Sequence, residues 1–173
     1  MDMIKYETSL KAKGDDYKKI VFWNRFIRNP IETILTVLPA IVSICLLAAG
    51  YYTYFLLVIY AVCVAYPLFI FLYQFKSSVN YHLKHRDPAE EAKCIMTVTK
   101  SGILADIPEH DLKYNYEWND CTTAYYKYGY YMLFNGSKMI VMLNTKDMTQ
   151  EEKKAIPQII TDNVDKNKCA IKF

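Results

Sequence analysis

Chemistry in a chain of this kind has to come from few residues. His82 and His85 stand three apart and share a helix face if that stretch is helical. Cys94 and His110 could complete a metal site with them. Zinc sites usually carry a second close-spaced pair of ligands, and the sequence has none. The histidine pair therefore reads as part of a solvated, basic helix. Asp106, Glu109, His110 and Asp111 cluster around one turn. Free carboxylates at a turn suit a solvated loop better than a general acid and base. The glycines at 14, 50, 102, 129 and 136 form neither a dinucleotide fingerprint nor a phosphate loop. Cysteines 45, 63, 94, 121 and 169 are odd in number and lack CxxC spacing, which argues for a reducing compartment rather than a disulfide framework. No catalytic residue, cofactor or metal ligand is assigned, and the chain reads as a non-enzyme.

Tyrosine is the other residue type in excess, with 16 in 173 residues. Tyr125, Tyr126, Tyr128, Tyr130 and Tyr131 crowd one hairpin. Strand alternation sends some of them into a core. Tyr125, Tyr126, Tyr128 and Tyr130 form the candidate partner surface, since an amphipathic ring left outside suits a protein contact or a membrane interface. The net charge of +3, carried mostly by lysine, gives no support to a nucleic-acid partner. Lys100 alone stands at the first C-terminal hairpin, so a phosphoinositide site is unsupported as well.

The elements that would position these residues are organised around residues 33–75, which include no Asp, Glu, Lys, Arg or His. A helix needs about 20 apolar residues to cross a bilayer, so this stretch reads as two crossings, at about 30–49 and 52–75, with a turn near Gly50. Asn29, Pro30 and Glu32 predict the helix start, with Asn29 as cap and Glu32 closing a capping box. Pro39 and Pro67 should bend the two spans. Lysines and arginines crowd both outer flanks and are absent from the tip, so both termini are expected in the cytoplasm. No signal peptide is recognised ahead of the spans.

The flanks divide into three parts. Residues 1–29 hold a short alternating strand at Met3–Glu7 and then an amphipathic helix. Residues 76–93 read as a basic connector helix ending at Asp87-Pro88. Residues 94–173 change to a period of two, giving six strands in a meander. Tyr114, Tyr116 and Trp118 share one face of the clearest strand. Asn135-Gly136 predicts a two-residue hairpin. Thr149 and Glu152 open a last helix with Ile156, Ile159, Ile160 and Val164 on one face, which Pro157 should kink or split. The expected fold class is an α+β membrane protein: a transmembrane hairpin plus a small antiparallel, pleckstrin-homology-like sheet or partial barrel closed by a C-terminal helix. The Met3–Glu7 segment is expected to pair with an edge of that sheet.

This order of elements, with Gly102 in the first hairpin and Trp118 followed by Asp120, resembles the YcxB-like family of bacterial membrane proteins. The chain departs from that family at Asn144-Thr145-Lys146-Asp147, where a Pro-Lys-Arg-type run often stands. The resemblance implies a cell-membrane protein with a pleckstrin-homology-like cytoplasmic domain and no established activity. The expected function is a non-enzymatic, membrane-anchored interaction module with a protein partner or itself. The alternative is a small accessory or regulatory subunit of a transport or signalling complex. Intramembrane polar residues separate the two, and the spans have few.

Overall fold

The computed structural model describes residues 3–51, 53–164 and 169–170, the last pair by backbone alone. The chain forms two compact units. One is Tyr17–His85, and the other joins Met1–Asp16 to Arg86–Phe173. Helix α1 (Gly14–Phe22) runs across the first boundary and continues as a wide π-helical turn, Trp23–Arg28. Helix α2 (Pro30–Ala48) and helix α3 (Tyr54–Leu68) follow as a hairpin. A second π-helical turn, Phe69–Gln74, carries α3 without a break into α4 (Phe75–Lys84).

Within this unit α2 buries Thr36, Ala40 and Ser43, and α3 buries Tyr60 and Pro67. The α2 residues lie four and three apart, which puts them on one helix face, and their small side chains let two backbones approach closely. Thr36 and Ser43 donate their hydroxyls to the carbonyls of Glu32 and Pro39, at 2.7 and 2.8 Å. Polar groups on the packed face are thus satisfied inside their own helix. Elsewhere the helices turn apolar side chains outward, and only 11% of the most apolar stretch of each is buried. Both are long and apolar enough to cross a membrane.

The π-helical turns adjust the helical phase so that two phenylalanine pairs meet. Phe22 and Phe26 precede the hairpin, and Phe71 and Phe75 follow it. Their rings come together with centroids 4.7 Å apart for Phe26–Phe71 and 5.4 Å for Phe22–Phe75. Tilted and edge-on contacts of this kind add to the area the rings bury. The helix start falls where expected, with Pro30 in the first turn, but the capping box does not form. The Asn29 amide donates to the Asn24 carbonyl, and Glu32 accepts two bonds from the Arg25 guanidinium, at 2.6 and 2.8 Å. A charge-assisted pair has replaced the neutral cap.

The second unit contains β1 (Met3–Ser9), α5 (Pro88–Glu91), β2 (Lys93–Thr99), β3 (Gly102–Ile107) and β4 (Leu112–Glu117). It continues with β5 (Thr123–Lys127), β6 (Tyr130–Asn135), β7 (Lys138–Asn144), α6 (Gln150–Asn163) and β8 (Cys169–Ala170). One sheet has the order β1-β2-β3-β4 and the other β7-β6-β5-β8. All pairings are antiparallel except β5 with β8. Strand β1 pairs along its whole length with β2, from Met3 opposite Thr99 to Ser9 opposite Lys93. The N-terminal segment is therefore part of the C-terminal sheet, and the helical hairpin is an insertion between its first two strands. The connector expected over 76–93 divides in the same way: α4 extends the hairpin and α5 belongs to the sheets.

Alternation fixes which side of each strand is core. Ile4 and Tyr6 on β1, Cys94, Met96 and Val98 on β2, and Ile103, Ala105 and Ile107 on β3 all point into one cluster. Leu133, Val141 and Leu143 come from the other sheet, and α6 closes the cluster with Ile156, Ile159 and Ile160. The Thr149–Glu152 capping box is fully formed, with the Glu152 carboxylate accepting from the Thr149 amide at 2.7 Å.

Three local expectations need correction. Pro157 does not split α6, which runs unbroken from Gln150 to Asn163. Asn135 pairs with Lys138, so the β6–β7 turn is Gly136-Ser137, one residue later than expected. Gly136 takes φ +58°, and a positive φ at the first central position is the signature of a type II′ turn. A bulge at Leu133/Phe134 absorbs the one-residue difference. Finally, β4 alternates most cleanly in sequence yet is the most exposed strand. Tyr114 is outside and Tyr116 half-buried, because β4 is an outer strand with no described neighbour beyond it.

Candidate functional site

The tyrosine hairpin does not assemble as a surface. Lys127 pairs with Tyr130 across a Tyr128-Gly129 turn in which both residues have positive φ, the type I′ geometry. Tyr130 is 4% exposed, so its place in the expected partner surface is corrected. Its hydroxyl donates to Asp16 at 3.1 Å, and the Lys146 ammonium stands 5.5 Å from its ring while pairing with Asp16. Burial first, and then the Asp16 carboxylate, pushes the Tyr130 phenol well above its ordinary value. Tyr126 packs against buried Tyr131 with the rings tilted and their centroids 4.6 Å apart, and Tyr125 meets Phe134 edge-on at 5.7 Å. Both are half-buried, and Tyr128, at 42%, is the exposed ring of the four.

Gly102 and Trp118 meet the turn between β2 and β3. The Trp118 indole donates to the Thr99 carbonyl at 2.9 Å. The Thr99 hydroxyl accepts from the amides of Ser101 and Gly102 and so closes the turn. A Cβ on Gly102 would stand 2.5 Å from the Tyr116 carbonyl oxygen, which only glycine avoids. Asp120 sits exposed in the short helical turn after Trp118. Gly102 and Trp118 thus brace the turn.

Two clefts open in the sheet unit. The polar one, about 320 Å³, is lined by Thr8, Lys13, Asp16, Tyr130, Asn144 and Asp147 among others. Its groups are largely spent on one another. Thr8 and Asn144 both donate to Asp147, at 2.7 and 2.6 Å, and Asp16 receives Tyr130 and Lys146. The apolar cleft, about 480 Å³, lies between the outer edges of β4 and β7. Ile107, Tyr114 and Tyr116 form one wall, residues 138–142 the other, and Leu10 and Ala89 one end. Its volume falls within the range of about 300–1,000 Å³ usual for ligand sites.

The titratable groups do not converge on either cleft as catalytic machinery. His82 and His85 are exposed on α4, and the Tyr81 ring stacks on His85 at 4.2 Å. His110 is exposed at the β3–β4 turn. Among the described residues no group of three or more His, Cys, Asp or Glu side chains converges as metal ligands. Cys94 is fully buried, and burial aided by the nearby Asp106 charge raises its thiol to about 11. Tyr6 is raised by burial and then by Asp147, and its buried hydroxyl has no partner among the described residues. Burial also raises Tyr116, at the cleft wall. The Cys169 side chain lies outside the described residues.

With the geometry in hand, comparison adds no relative: the chain matches no family model, no curated protein and no solved structure. The site must be read from its own residues. Sequence reasoning missed the apolar cleft, although Met139-Ile140-Val141-Met142-Leu143 is an uncharged run on a strand. That run could have been flagged as an edge, but which strand neighbours it depends on pairing rather than on the run itself.

Proposed function

We propose that the protein is a non-enzymatic, membrane-anchored interaction module of the YcxB-like type, its hairpin spanning the membrane and its sheet unit held in the cytoplasm. The observation that carries this reading is the segregation of charge and exposure in Tyr17–His85. Lys18, Lys19, Arg25, Arg28, Lys76 and Lys84 face a single acid, Glu32, and all of them flank the uncharged stretch. The hairpin unit thus carries +5 and the remainder −2 of the total +3. Cations at both outer flanks and none at the tip support a cytoplasmic orientation of the flanks. Outward-facing Leu35, Ile41, Phe55, Val62 and Leu72 would cost about 1.5–3 kcal/mol each to hold in water rather than in an apolar phase.

The sheet unit supports the pleckstrin-homology-like part of the proposal. Four antiparallel strands, three more, and a closing helix are the plan of that fold, here with the hairpin inserted after the first strand. The test is topological. In a variant without native cysteines, Lys5→Cys, Tyr51→Cys and Ser137→Cys are made singly and intact cells are treated with a membrane-impermeant maleimide. Labelling at position 51 alone is expected. Labelling at 5 or 137 would overturn the orientation, and recovery of the protein in the soluble fraction would overturn the anchor.

A further inference from the structure

We propose that the cleft between β4 and β7 takes an extended segment of a partner protein as an added strand on β7. Alternate apolar side chains of that segment enter the cleft, and an acidic group meets Lys138. This rests on the interaction-module reading and names its docking site.

The outer strands are β1, β4, β7 and the two-residue β8. Strands β1 and β4 present Lys5, Glu7, Lys113 and Glu117, the charged side chains that discourage edge pairing. The outer edge of β5 is occupied by β8, so this sheet already accepts an extended segment on one side. Strand β7 is different. It reads KMIVMLN, carries no charge after Lys138, and pairs with no described strand on its outer side. Met139 and Ile140 are partly exposed on it while Val141, Met142 and Leu143 are buried, and an uncharged edge with no described neighbour invites another strand to pair with its outer amides and carbonyls.

The bulge on β7 shapes the floor of the cleft. Leu133 pairs with Val141 and Phe134 with Met139, which leaves Ile140 as the extra residue. Bulges re-aim side chains, and here Met139, Ile140 and Val141 line the cleft in succession. Tyr114 and Tyr116, rings parallel within 17° of each other, form the facing wall. The β7 edge, running along an apolar floor, selects a backbone in extended conformation. A compact ligand would leave those edge groups unmatched.

Charge selects the polarity of the partner. Lys11 is tied to Glu90 at the α5 end of the cleft, and Asp87 caps Ala89. Lys138, beside the Gly136-Ser137 turn, makes no ion pair among the described residues. The cation available to a ligand is therefore Lys138, and its complement is a carboxylate.

The experiment uses the full chain in detergent micelles and random peptides displayed on phage. Enriched peptides should alternate apolar residues and carry Asp or Glu toward one end. Synthetic copies should slow amide exchange in β7 and leave β1 unchanged. Ile140→Lys should weaken binding at least about tenfold, and Lys138→Glu should abolish the acidic preference with the melting temperature unchanged. No enrichment, or equal binding to Ile140→Lys, would overturn the proposal. So would β7 amides already protected in the free protein in proportion to its concentration, which would make a second copy the occupant. Alkaline extraction of membranes from the same cells reads the anchor separately, so either reading can fall alone.

Discussion

The two units use apolar residues in opposite ways. In the sheet unit Ile4, Met96, Ile103, Leu133, Leu143 and Ile156 are all 1% exposed or less. In the hairpin unit Leu35, Phe55, Val62 and Leu72 each expose more than 60% of their surface. Composition alone would have ranked the hairpin as the better core. A core, however, needs neighbours on every side, and two helices packed on Thr36, Ala40 and Ser43 cover only one face of each. The sheet unit builds its core from a smaller proportion of apolar residues, because alternation gathers Ile4, Met96, Ile103, Leu133 and Leu143 into one cluster closed by Ile156. Core packing and apolar exposure are thus separated along the chain, and substitutions should show it.

The harshest test removes β1. Deleting residues 1–9 strips Ile4 and Tyr6 from the core and uncovers the whole edge of β2, so cooperative unfolding of the sheet unit should vanish. The chain should still fractionate with membranes, because residues 17–85 are untouched. Retention of a sharp melting transition would break the view that β1 completes the sheet. Below this come point changes of a few kcal/mol. Gly102→Ala forces a Cβ against the Tyr116 carbonyl and should cost about 3 kcal/mol by overpacking. Leu133→Ala should cost about 2–5 kcal/mol, the usual range for a buried leucine. Leu57→Ala, at an outward hairpin position, should leave the same melting transition unchanged. Equal effects at 133 and 57 would mean that the two units share one core.

How much of this was legible follows the same division. The hairpin was legible because its signal is one-dimensional: a charge-free stretch, a turn, and flanking cations. The strands and α6 were legible from period and from the Thr149–Glu152 box. What failed depended on partners outside the local motif. Asn29 and Glu32 have the composition of a cap, but the π-helical turn brings Arg25 to Glu32. Tyr130 belongs to a cluster of tyrosines that strand alternation alone divides, and only Asp16 and Lys146, both far away in sequence, explain its burial. Tyr114 sits on a strand with perfect alternation, but alternation says which residues share a face and not whether the face is covered. The apolar cleft follows from pairing order, which no local pattern specifies.

Alkaline titration should sharpen the contrast further. Cys94 titrates near 9 when unfolded and at about 11 when buried. Above pH 9 the unfolded chain therefore holds fewer protons than the folded one, and stability falls as pH rises to about 11. Tyr6 and Tyr130, both raised from 10, extend the loss to higher pH. Urea midpoints of the sheet unit between pH 8 and 11 should drop progressively, and Cys94→Ala should flatten the first part of that slope. An unchanged slope in the variant would mean that the thiol is not protected by burial.

The smallest effect has an unusual sign. Tyr6 is 6% exposed on the core side of β1, and its hydroxyl is buried with no partner among the described residues. An unmet buried hydroxyl costs about 1–3 kcal/mol, because the water it left is not replaced. The ring packs among Cys94, Met96 and the α6 isoleucines, all of which phenylalanine would keep. Tyr6→Phe should therefore raise the stability of the sheet unit by about 1 kcal/mol. It should also remove one contributor to the alkaline loss above pH 10. A fall in stability would show that the hydroxyl is satisfied, with a bound water near Asp147 as the group to look for. Ile4→Val on the same strand has no polar group to relieve and should cost about 1 kcal/mol, so the two substitutions together separate packing from solvation at β1.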